Sequence, residues 1–310
     1  MFQFVLRRAG DALLTAFLVF TFVFFAMRLL PGDPVVAMLG DRASAEAIEN
    51  ARQSLGLNEP LVVQYALFVR DLFQFDLGRS LINGISVSET MGRALPYTIM
   101  LTVASTVIQI LVGIPLGIAS AIRAGRAVDH SSRLIALFGS ALPDFYVGVI
   151  FLVVFGLTLG WFPLIGGGDS PLDLYYLALP ALALGLLKGF GLIRLTRAAV
   201  LDVMNHDYVR TARAYGMSRR NVIWRHIVRN ALLPITAHLS LSIVATLGGT
   251  IALEMVFNRP GVGQLLVGAV TARDYTLIQG GLVILSVLVV AVNFLTDLLY
   301  VVIDPRVRAN

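Results

Sequence analysis

Six long apolar segments alternate with polar stretches along the chain. Each has about 20 or more mostly apolar residues, which is the length an α-helix needs to cross the hydrocarbon core of a bilayer. The pattern predicts an all-α, polytopic membrane protein with six transmembrane helices in one domain, residues 1–310. The predicted spans are residues 9–30, 97–122, 134–159, 174–193, 232–253 and 277–303.

Residues 31–96 form the first long polar connection, and their pattern predicts two helices in an outer insertion. Ser44 and Gly56 are suitable start and end residues for the first helix, and Pro60 lies in the first turn of the second. The second helix lies on the bilayer surface or packs on the outer ends of the spans, and a docking platform for an extracytoplasmic partner is a third interpretation. Its apolar stripe consists of Leu61, Val62, Tyr65, Phe68, Val69, Leu72 and Phe73.

Arginine is distributed unequally between the two sides that the spans define. An even number of spans places both termini on one side, and the segments on that side hold fifteen arginines against eight on the other. Positively charged loops remain in the cytoplasm, so both termini are predicted to be cytoplasmic. This bias also explains the net charge of +5, and we therefore expect no nucleic-acid partner.

The composition agrees with a membrane protein and excludes most enzyme chemistry. Hydrophobic residues make up 57% of the chain and charged residues 14%, whereas a soluble domain has about 25% charged residues. The chain has no cysteine, its single lysine lies outside any nucleotide-binding loop, and its four histidines are not at metal-ligand spacing. The sequence predicts no catalytic residue, no metal site and no cofactor.

Prolines and ionisable side chains mark special positions inside the spans. Pro115 lies in the second span, Pro143 interrupts the third and Pro234 opens the fifth. Ionisable groups are costly in hydrocarbon, so they are candidates for function. Asp144 is the most central of them, and Pro143 and Asp144 are therefore candidates for the translocation path, with a kink for helix packing as the alternative. Lys188 and Asp297 lie toward cytoplasmic ends, where a neighbouring-helix partner or contact with the interface explains them.

The second long polar connection, residues 194–230, concentrates positive charge. The fourth span continues into it as a basic helix to about Met204, and a further helix begins near Ser218. A protein partner and anionic lipid headgroups are both chemically suited to such a surface. The arginines of this loop are Arg194, Arg197, Arg210, Arg213, Arg219, Arg220, Arg225 and Arg229.

The middle of this loop predicts a short helix that ends at a glycine corner. Asp207 is a favourable cap, and Tyr208, Ala212 and Tyr215 share one face at helical spacing. Gly216 suits the left-handed conformation that ends a helix. A small face with aromatic edges, surrounded by arginines, is suited to insertion into a groove of a partner protein.

Several stretches together resemble the ABC-importer permeases, in their dipeptide/oligopeptide/nickel branch. The main resemblance is to the EAA loop of that family, and the similarity extends over nearly the whole chain. The stretches are Tyr208-Val-Arg-Thr-Ala-Arg-Ala-Tyr-Gly216 with Arg225-His-Ile-Val-Arg-Asn-Ala-Leu-Leu-Pro234, Arg28-Leu-Leu-Pro-Gly-Asp-Pro34, Leu55-Gly-Leu57 through Asp76-Leu-Gly-Arg-Ser80, Phe257-Asn-Arg-Pro-Gly-Val-Gly263 with Arg273-Asp-Tyr275, and Asp304-Pro-Arg306.

The resemblance implies a permease subunit of the bacterial inner membrane that imports short peptides, with nickel, glutathione or another small solute as alternatives. It further implies a second homologous permease, two ATP-binding subunits that hold ATP and magnesium, and an extracytoplasmic solute-binding protein. A stand-alone carrier or channel is the rival from another class. The residues that the resemblance assigns to ATPase coupling are Tyr208, Arg210, Thr211, Ala212, Arg213, Tyr215 and Gly216; Arg210 replaces the glutamate of the wider superfamily and is not assigned its role.

Overall fold

The computed structural model describes residues 2–29, 35–36, 44–54, 56–139 and 141–303. Within these ranges the regular secondary structure is helical, apart from an isolated antiparallel bridge between Arg79 and Ser86, and turns and loops connect the helices. Three parts of the motifs quoted above lie outside the described residues, namely residues 30–34, Leu55 and the Asp304-Pro-Arg306 motif.

Long helices dominate the described part of the chain. Five of its helices are long and apolar enough to cross a membrane, and α5 with α6 adds a sixth span if this bent pair is counted as one. In chain order the helices are α1 (Phe2–Leu29), α2 (Ala45–Ser54), α3 (Leu61–Phe73), α4 (Val87–Ile122), α5 (Ala127–Gly139), α6 (Asp144–Thr158), α7 (Leu174–Met204), α8 (Asp207–Ala214), α9 (Arg219–Val256), α10 (Val262–Ala272) and α11 (Tyr275–Ile303).

The centre of the bundle is the pairing of α4 with α7. Buried residues make up 61% of the most apolar window of α7, against 28% or less in the other four candidate spans, so α7 is the central helix. Glycines allow the two backbones to approach closely. A Cβ atom on Gly113 of α4 would lie 2.6 Å from the Cβ of Leu192 on α7. Small residues at a helix crossing are typical of membrane bundles, where close packing replaces the hydrophobic effect between helices.

Replacing Gly185 by alanine is expected to destabilise this crossing. The added Cβ would lie 2.6 Å from the Cβ of Ile108 and 2.7 Å from the carbonyl oxygen of Ser105, so the helices must separate. Overpacking of this kind costs about 1–3 kcal/mol. Gly191 on the same helix has no atom within 4 Å of such a Cβ, which makes Gly191→Ala the matched control. Thermal unfolding in detergent should show a lower Tm for Gly185→Ala but not for Gly191→Ala. Equal Tm values for the two variants would contradict close packing of α4 against α7 at Gly185.

The outer insertion packs on the first helix. The rings of Tyr65 and Phe68 on α3 lie with their centroids 5.2 and 5.3 Å from the ring of Phe24, which is fully buried. The Arg28 Nε donates to Gln64 Oε1 at 3.1 Å. Of the two placements open for α3, packing against a span is therefore the one the structure shows. Three residues of the predicted stripe are instead exposed: Leu61, Val62 and Phe73.

The prolines act differently from one helix to the next. Pro115 lies inside the unbroken helix α4. The third predicted span is divided at Pro143, and α5 and α6 meet at 103°. Pro234, which the sequence places at the opening of the fifth span, lies inside α9, which begins at Arg219 and runs through it. A proline removes only one backbone hydrogen bond, and burial of Ala231 and Ile235 on either side holds the helix together.

Candidate functional site

The short helix α8 lies in the loop between α7 and α9, at the end of the bundle that we name the loop end. Its cap is His206, whose backbone is extended at φ −69° and ψ 146°, and not Asp207 as predicted. Asp207 is instead the first helical residue, where its negative charge favours the positive end of the helix dipole. The arginine of the following turn, Arg210, lies 3.6 Å from the Asp207 carboxylate.

One face of α8 is buried against the long helices. Val209 is fully buried and Ala212 nearly so. Both belong to a hydrophobic cluster at the loop end, which we name the loop-end core, with side chains from α4, α7 and α9. The helix α8 is therefore packed directly against three long helices. Further members of the loop-end core are Ile118, Ala121, Leu192, Ala199, Val200, Val203, Val222, Ile227, Val228, Ala231 and Ile235.

The other face of α8 is open to solvent and carries most of the predicted coupling residues. Tyr215 is the most accessible aromatic among them, with 84% of its surface exposed, and Tyr208 is 43% exposed. Arg210, Thr211 and Arg213 are also exposed. The predicted shared face of Tyr208, Ala212 and Tyr215 is wrong in one respect, because Ala212 packs inward with Val209 and Tyr215 lies just beyond the last helical residue.

Tyr208 joins α8 to the neighbouring elements. Its ring stacks on His206 with the centroids 5.5 Å apart. Partial burial raises the pKa of the Tyr208 hydroxyl; the hydrogen-bonded Asn230 side chain opposes this shift, and the Asp202 carboxylate adds to it. The hydroxyl is consequently neutral at physiological pH and available as a hydrogen-bond donor or acceptor.

The corner after α8 has the left-handed backbone that the sequence predicts. Gly216 has φ +75°, and its amide donates to the carbonyl of Arg213 at 3.0 Å. Ser218 then caps α9 by accepting a hydrogen bond from the amide of Asn221 at 3.4 Å. This tight corner fixes the direction of α8 relative to α9.

A bidentate ion pair anchors the loop end of α7. Asp129 is almost fully buried and accepts from Arg197 Nε at 2.6 Å and from Arg197 Nη2 at 2.9 Å. The hydroxyl of Ser120 and the amide of Gly125 also donate to this carboxylate, at 2.7 and 2.9 Å. The interaction connects α4, the turn after it, α5 and α7. The sequence does not reveal this pair, because the two residues are far apart along the chain.

The break between α5 and α6 places a charged pair inside the bundle. Asp144 is the first residue of α6, directly after Pro143, and its carboxylate accepts from Lys188 Nζ at 2.9 and 3.2 Å. Lys188 lies on α7, so the pair bridges the broken span and the central helix. Of the two sequence-based explanations for Lys188, a partner on a neighbouring helix is the one observed. Asp297, the other such residue, lies 3.4 Å from Arg8.

Two motifs far apart in sequence meet at the opposite end of the bundle, which we name the insertion end. The hydroxyl of Ser80 donates a hydrogen bond to the buried carboxylate of Asp274, which also accepts from the amide of Leu277 at 3.1 Å. Asp274 thus caps α11 and ties the end of the outer insertion to it. The pairing was not foreseen, although both residues lie in the motifs on which the resemblance rests.

A buried glutamate organises the loop between α9 and α10. Glu254 Oε1 accepts from the Thr98 hydroxyl at 2.6 Å, and its Oε2 accepts from the amides of Gly263 and Gln264 at 2.7 and 3.2 Å. Nearby, burial lowers the pKa of Arg259 while the charge of Glu254 opposes this shift. The loop is therefore a fixed structure, built around one carboxylate.

Replacing Glu254 by alanine is expected to destabilise the insertion end. The change leaves the Thr98 hydroxyl and two backbone amides without their acceptor in a buried setting, and each such group costs about 1–3 kcal/mol. The neighbouring Met255 is 46% exposed, so Met255→Ala is the control. Thermal unfolding in detergent should separate the two variants by several degrees, and a Glu254→Ala variant as stable as Met255→Ala would refute the assignment.

Metal chemistry has no visible site in the described part of the chain. Among those residues, no group of three or more His, Asp or Glu side chains could hold a metal ion.

The sequence matches two family models that together cover most of the chain. A model described as "Binding-protein-dependent transport system inner membrane component" matches residues 113–309, and a model of the N-terminal part of such membrane components matches residues 1–102.

Curated relatives match over nearly their whole length. A putative peptide transport system permease protein of Brucella abortus is 40% identical, and the match covers 99% of each chain. The oligopeptide transport system permease protein AppB of Bacillus subtilis is 37% identical over 92% of each chain, and the glutathione transport system permease protein GsiC of Escherichia coli is 37% identical over 99% of each. A chain of the MetNI methionine ABC transporter in an inward-facing crystal structure shares the fold, with a TM-score of 0.57, 18% identity, and coverage of 69% of this chain and 96% of that one.

Proposed function

The chain belongs to the family of binding-protein-dependent transport system inner membrane components, and from this membership we propose that it moves short peptides across the bacterial cytoplasmic membrane. It is an ABC-importer permease, a multi-pass membrane protein built from long apolar helices. The names of two of the relatives above support peptides as the solute class.

Energy for transport comes from other subunits in this proposal. The only lysine, Lys188, is paired with Asp144 inside the bundle and does not belong to a phosphate-binding loop. We infer that two ATP-binding subunits hold ATP and magnesium, and that a second homologous permease and an extracytoplasmic solute-binding protein complete the transporter. The chain itself catalyses no reaction and binds no cofactor.

We propose that the two faces of α8 couple the ATPase subunits to the long helices. The exposed face, with Arg210, Arg213 and Tyr215, contacts an ATPase subunit, and the buried face, with Val209 and Ala212, lies in the loop-end core. Closure of the ATPase subunits on ATP moves α8 as a rigid body, and the long helices follow because they share its core. The corner at Gly216 keeps α8 and α9 at a fixed angle.

The orientation follows from the position of α8. ATP is hydrolysed in the cytoplasm, so the loop end is the cytoplasmic end and the insertion end faces outward. Both termini then lie in the cytoplasm, in agreement with the arginine distribution. The outward surface of α3 and of residues 258–274, which include α10, is available to a solute-binding protein.

The translocation path is proposed to pass the break at Pro143 and Asp144. Broken helices deep in a membrane occur where they are enclosed by protein or line a water-filled cavity. The break lies against the central helix α7, through the contact of Asp144 with Lys188.

Glutathione is the second candidate solute, because one of the relatives above is named a glutathione permease. Liposomes that contain the chain, its partner permease, the ATPase subunits and the binding protein separate the candidates. ATP-dependent uptake of labelled dialanine, with little uptake of glutathione or nickel, is the expected result. If glutathione or nickel is taken up and dialanine is not, the transported solute is glutathione or nickel and not a short peptide. ATP-independent uptake by the chain alone would show that the chain is a carrier or channel.

A further inference from the structure

The ion pair between Asp144 and Lys188 has partly accessible side chains. Their exposed fractions are 24% and 23%, and the two nitrogen–oxygen distances are 2.9 and 3.2 Å. Charged groups are expensive in contact with lipid, so their exposed surface faces protein or a water-filled space.

Three helices converge on the carboxylate. Asp144 begins α6, Lys188 lies on the central helix α7, and Gly249 of α9 packs against the carboxylate. A Cβ on Gly249 would lie 2.6 Å from Asp144 Oδ2, so no larger residue fits there without a shift. The carboxylate thus occupies a fixed position, while the ammonium group is carried on the long flexible side chain of lysine.

Stability alone is a weak reason for such a pair. Replacing a buried ion pair by apolar residues of similar volume is often neutral or stabilising, because the desolvation of two charges offsets their attraction. Ionisable groups inside spans more often mark the pathway of a solute. A charged pair next to a helix break, with part of its surface accessible, fits that description.

We propose that Asp144 and Lys188 form a subsite for the charged ends of a zwitterionic short peptide, with Asp144 binding the terminal ammonium group and Lys188 the terminal carboxylate. The proposal rests on the proposed function and names the feature of the peptide that this site selects. A zwitterion replaces both partners of the pair at once, so no charge is left unpaired at low dielectric constant.

The length and charge of a solute decide whether it fits the Asp144–Lys188 subsite. An extended chain spans at most about 3.3–3.6 Å per residue, so the ends of a dipeptide or tripeptide lie about 7–11 Å apart. Binding both ends requires the pair to separate by more than this length; the flexible Lys188 side chain supplies part of the separation, and movement of α6 relative to α7 during transport supplies the rest. A divalent cation would leave Lys188 unpaired and repelled, and glutathione, with two carboxylates and one ammonium group, would leave one carboxylate unmatched.

A double-mutant cycle in the reconstituted transporter tests the subsite. The variants are Asp144→Asn, Lys188→Met and the double variant, with Asp297→Asn as the control for loss of another carboxylate within a span. Dialanine and its N-acetyl amide, which has no charged end, are supplied with a saturating amount of binding protein. In the double variant we expect ATP-dependent uptake of dialanine to fall at least about tenfold relative to uptake of the blocked peptide, the loss expected for a charged hydrogen bond.

Three outcomes would overturn the subsite. The double variant could transport dialanine at the wild-type rate, which would make the pair purely structural. Both peptides could slow by the same factor, which would indicate a gate without recognition of peptide ends. The Asp297→Asn control could lose as much uptake as the double variant, which would show a general sensitivity to lost charge. Failure of the proposed function itself would look different, because wild-type protein would then take up no dialanine.

Discussion

Replacing Gly216 by valine is expected to uncouple transport from ATP hydrolysis, with at least a tenfold loss of peptide uptake. Gly216 has φ +75°, and a β-branched residue there is strained by about 1–3 kcal/mol. A Cβ on this glycine would meet no atom within 4 Å, so the strain is in the backbone and not in packing. The corner then relaxes, and α8 changes its angle to α9. ATP-dependent uptake and ATPase activity in proteoliposomes measure the effect.

Asparagine provides the matched substitution at the same corner. It adopts the left-handed conformation more readily than other non-glycine residues, so Gly216→Asn should keep most of the uptake. Both variants add a side chain that points into open space. Normal uptake by Gly216→Val would show that the corner plays no part in coupling, and equal losses in both variants would show that the conformation of the backbone is not the cause.

Replacing Asp129 by alanine is expected to cause a large loss of stability at the loop end. The substitution leaves the Arg197 guanidinium, which is 23% exposed, without its bidentate partner, and it removes the acceptor of Ser120 and Gly125. Breaking a buried ion pair from one side costs about 3–5 kcal/mol. Thermal unfolding of the detergent-purified chain measures the loss.

Asp202 offers a control of the same chemistry, because its side chain is 80% exposed. Asp202→Ala should change stability by less than about 0.5 kcal/mol. The double variant Asp129→Leu with Arg197→Leu removes both charges and should recover much of the stability lost in the single variant. A single variant as stable as wild type, or a double variant less stable than the single one, would contradict the role of the pair.

The helices could be predicted because their signals are local. Apolar length identifies the spans, and the basic continuation of α7 to Met204 is visible in the sequence. Gly216 is predictable because so few residues adopt a positive φ. The contacts of Asp129 with Arg197 and of Ser80 with Asp274 are different. Periodicity shows which face of a helix is buried, but not which helix it meets.

The errors around α8 have the same physical origin. An eight-residue helix offers few positions to define a face. The spacing of Tyr208 and Tyr215 predicts a shared face, but the buried side of the helix is formed by Val209 and Ala212. Pro234 does not interrupt α9, because the neighbouring helices hold this helix in place. Contacts with neighbouring helices determine both the buried face of α8 and the continuity of α9 at Pro234, and the local sequence does not show these contacts.

The most direct test of coupling through α8 is a cross-link from position 215 to an ATPase subunit in the assembled transporter. The chain has no cysteine, so Tyr215→Cys gives a single attachment point on a residue that is 84% exposed. Trp161→Cys, 60% exposed at the insertion end, is the control. We expect a cross-link from Tyr215→Cys to an ATP-hydrolysing subunit and none from Trp161→Cys. A chain that purifies without any ATPase, forms no such cross-link and transports solute without ATP would contradict it.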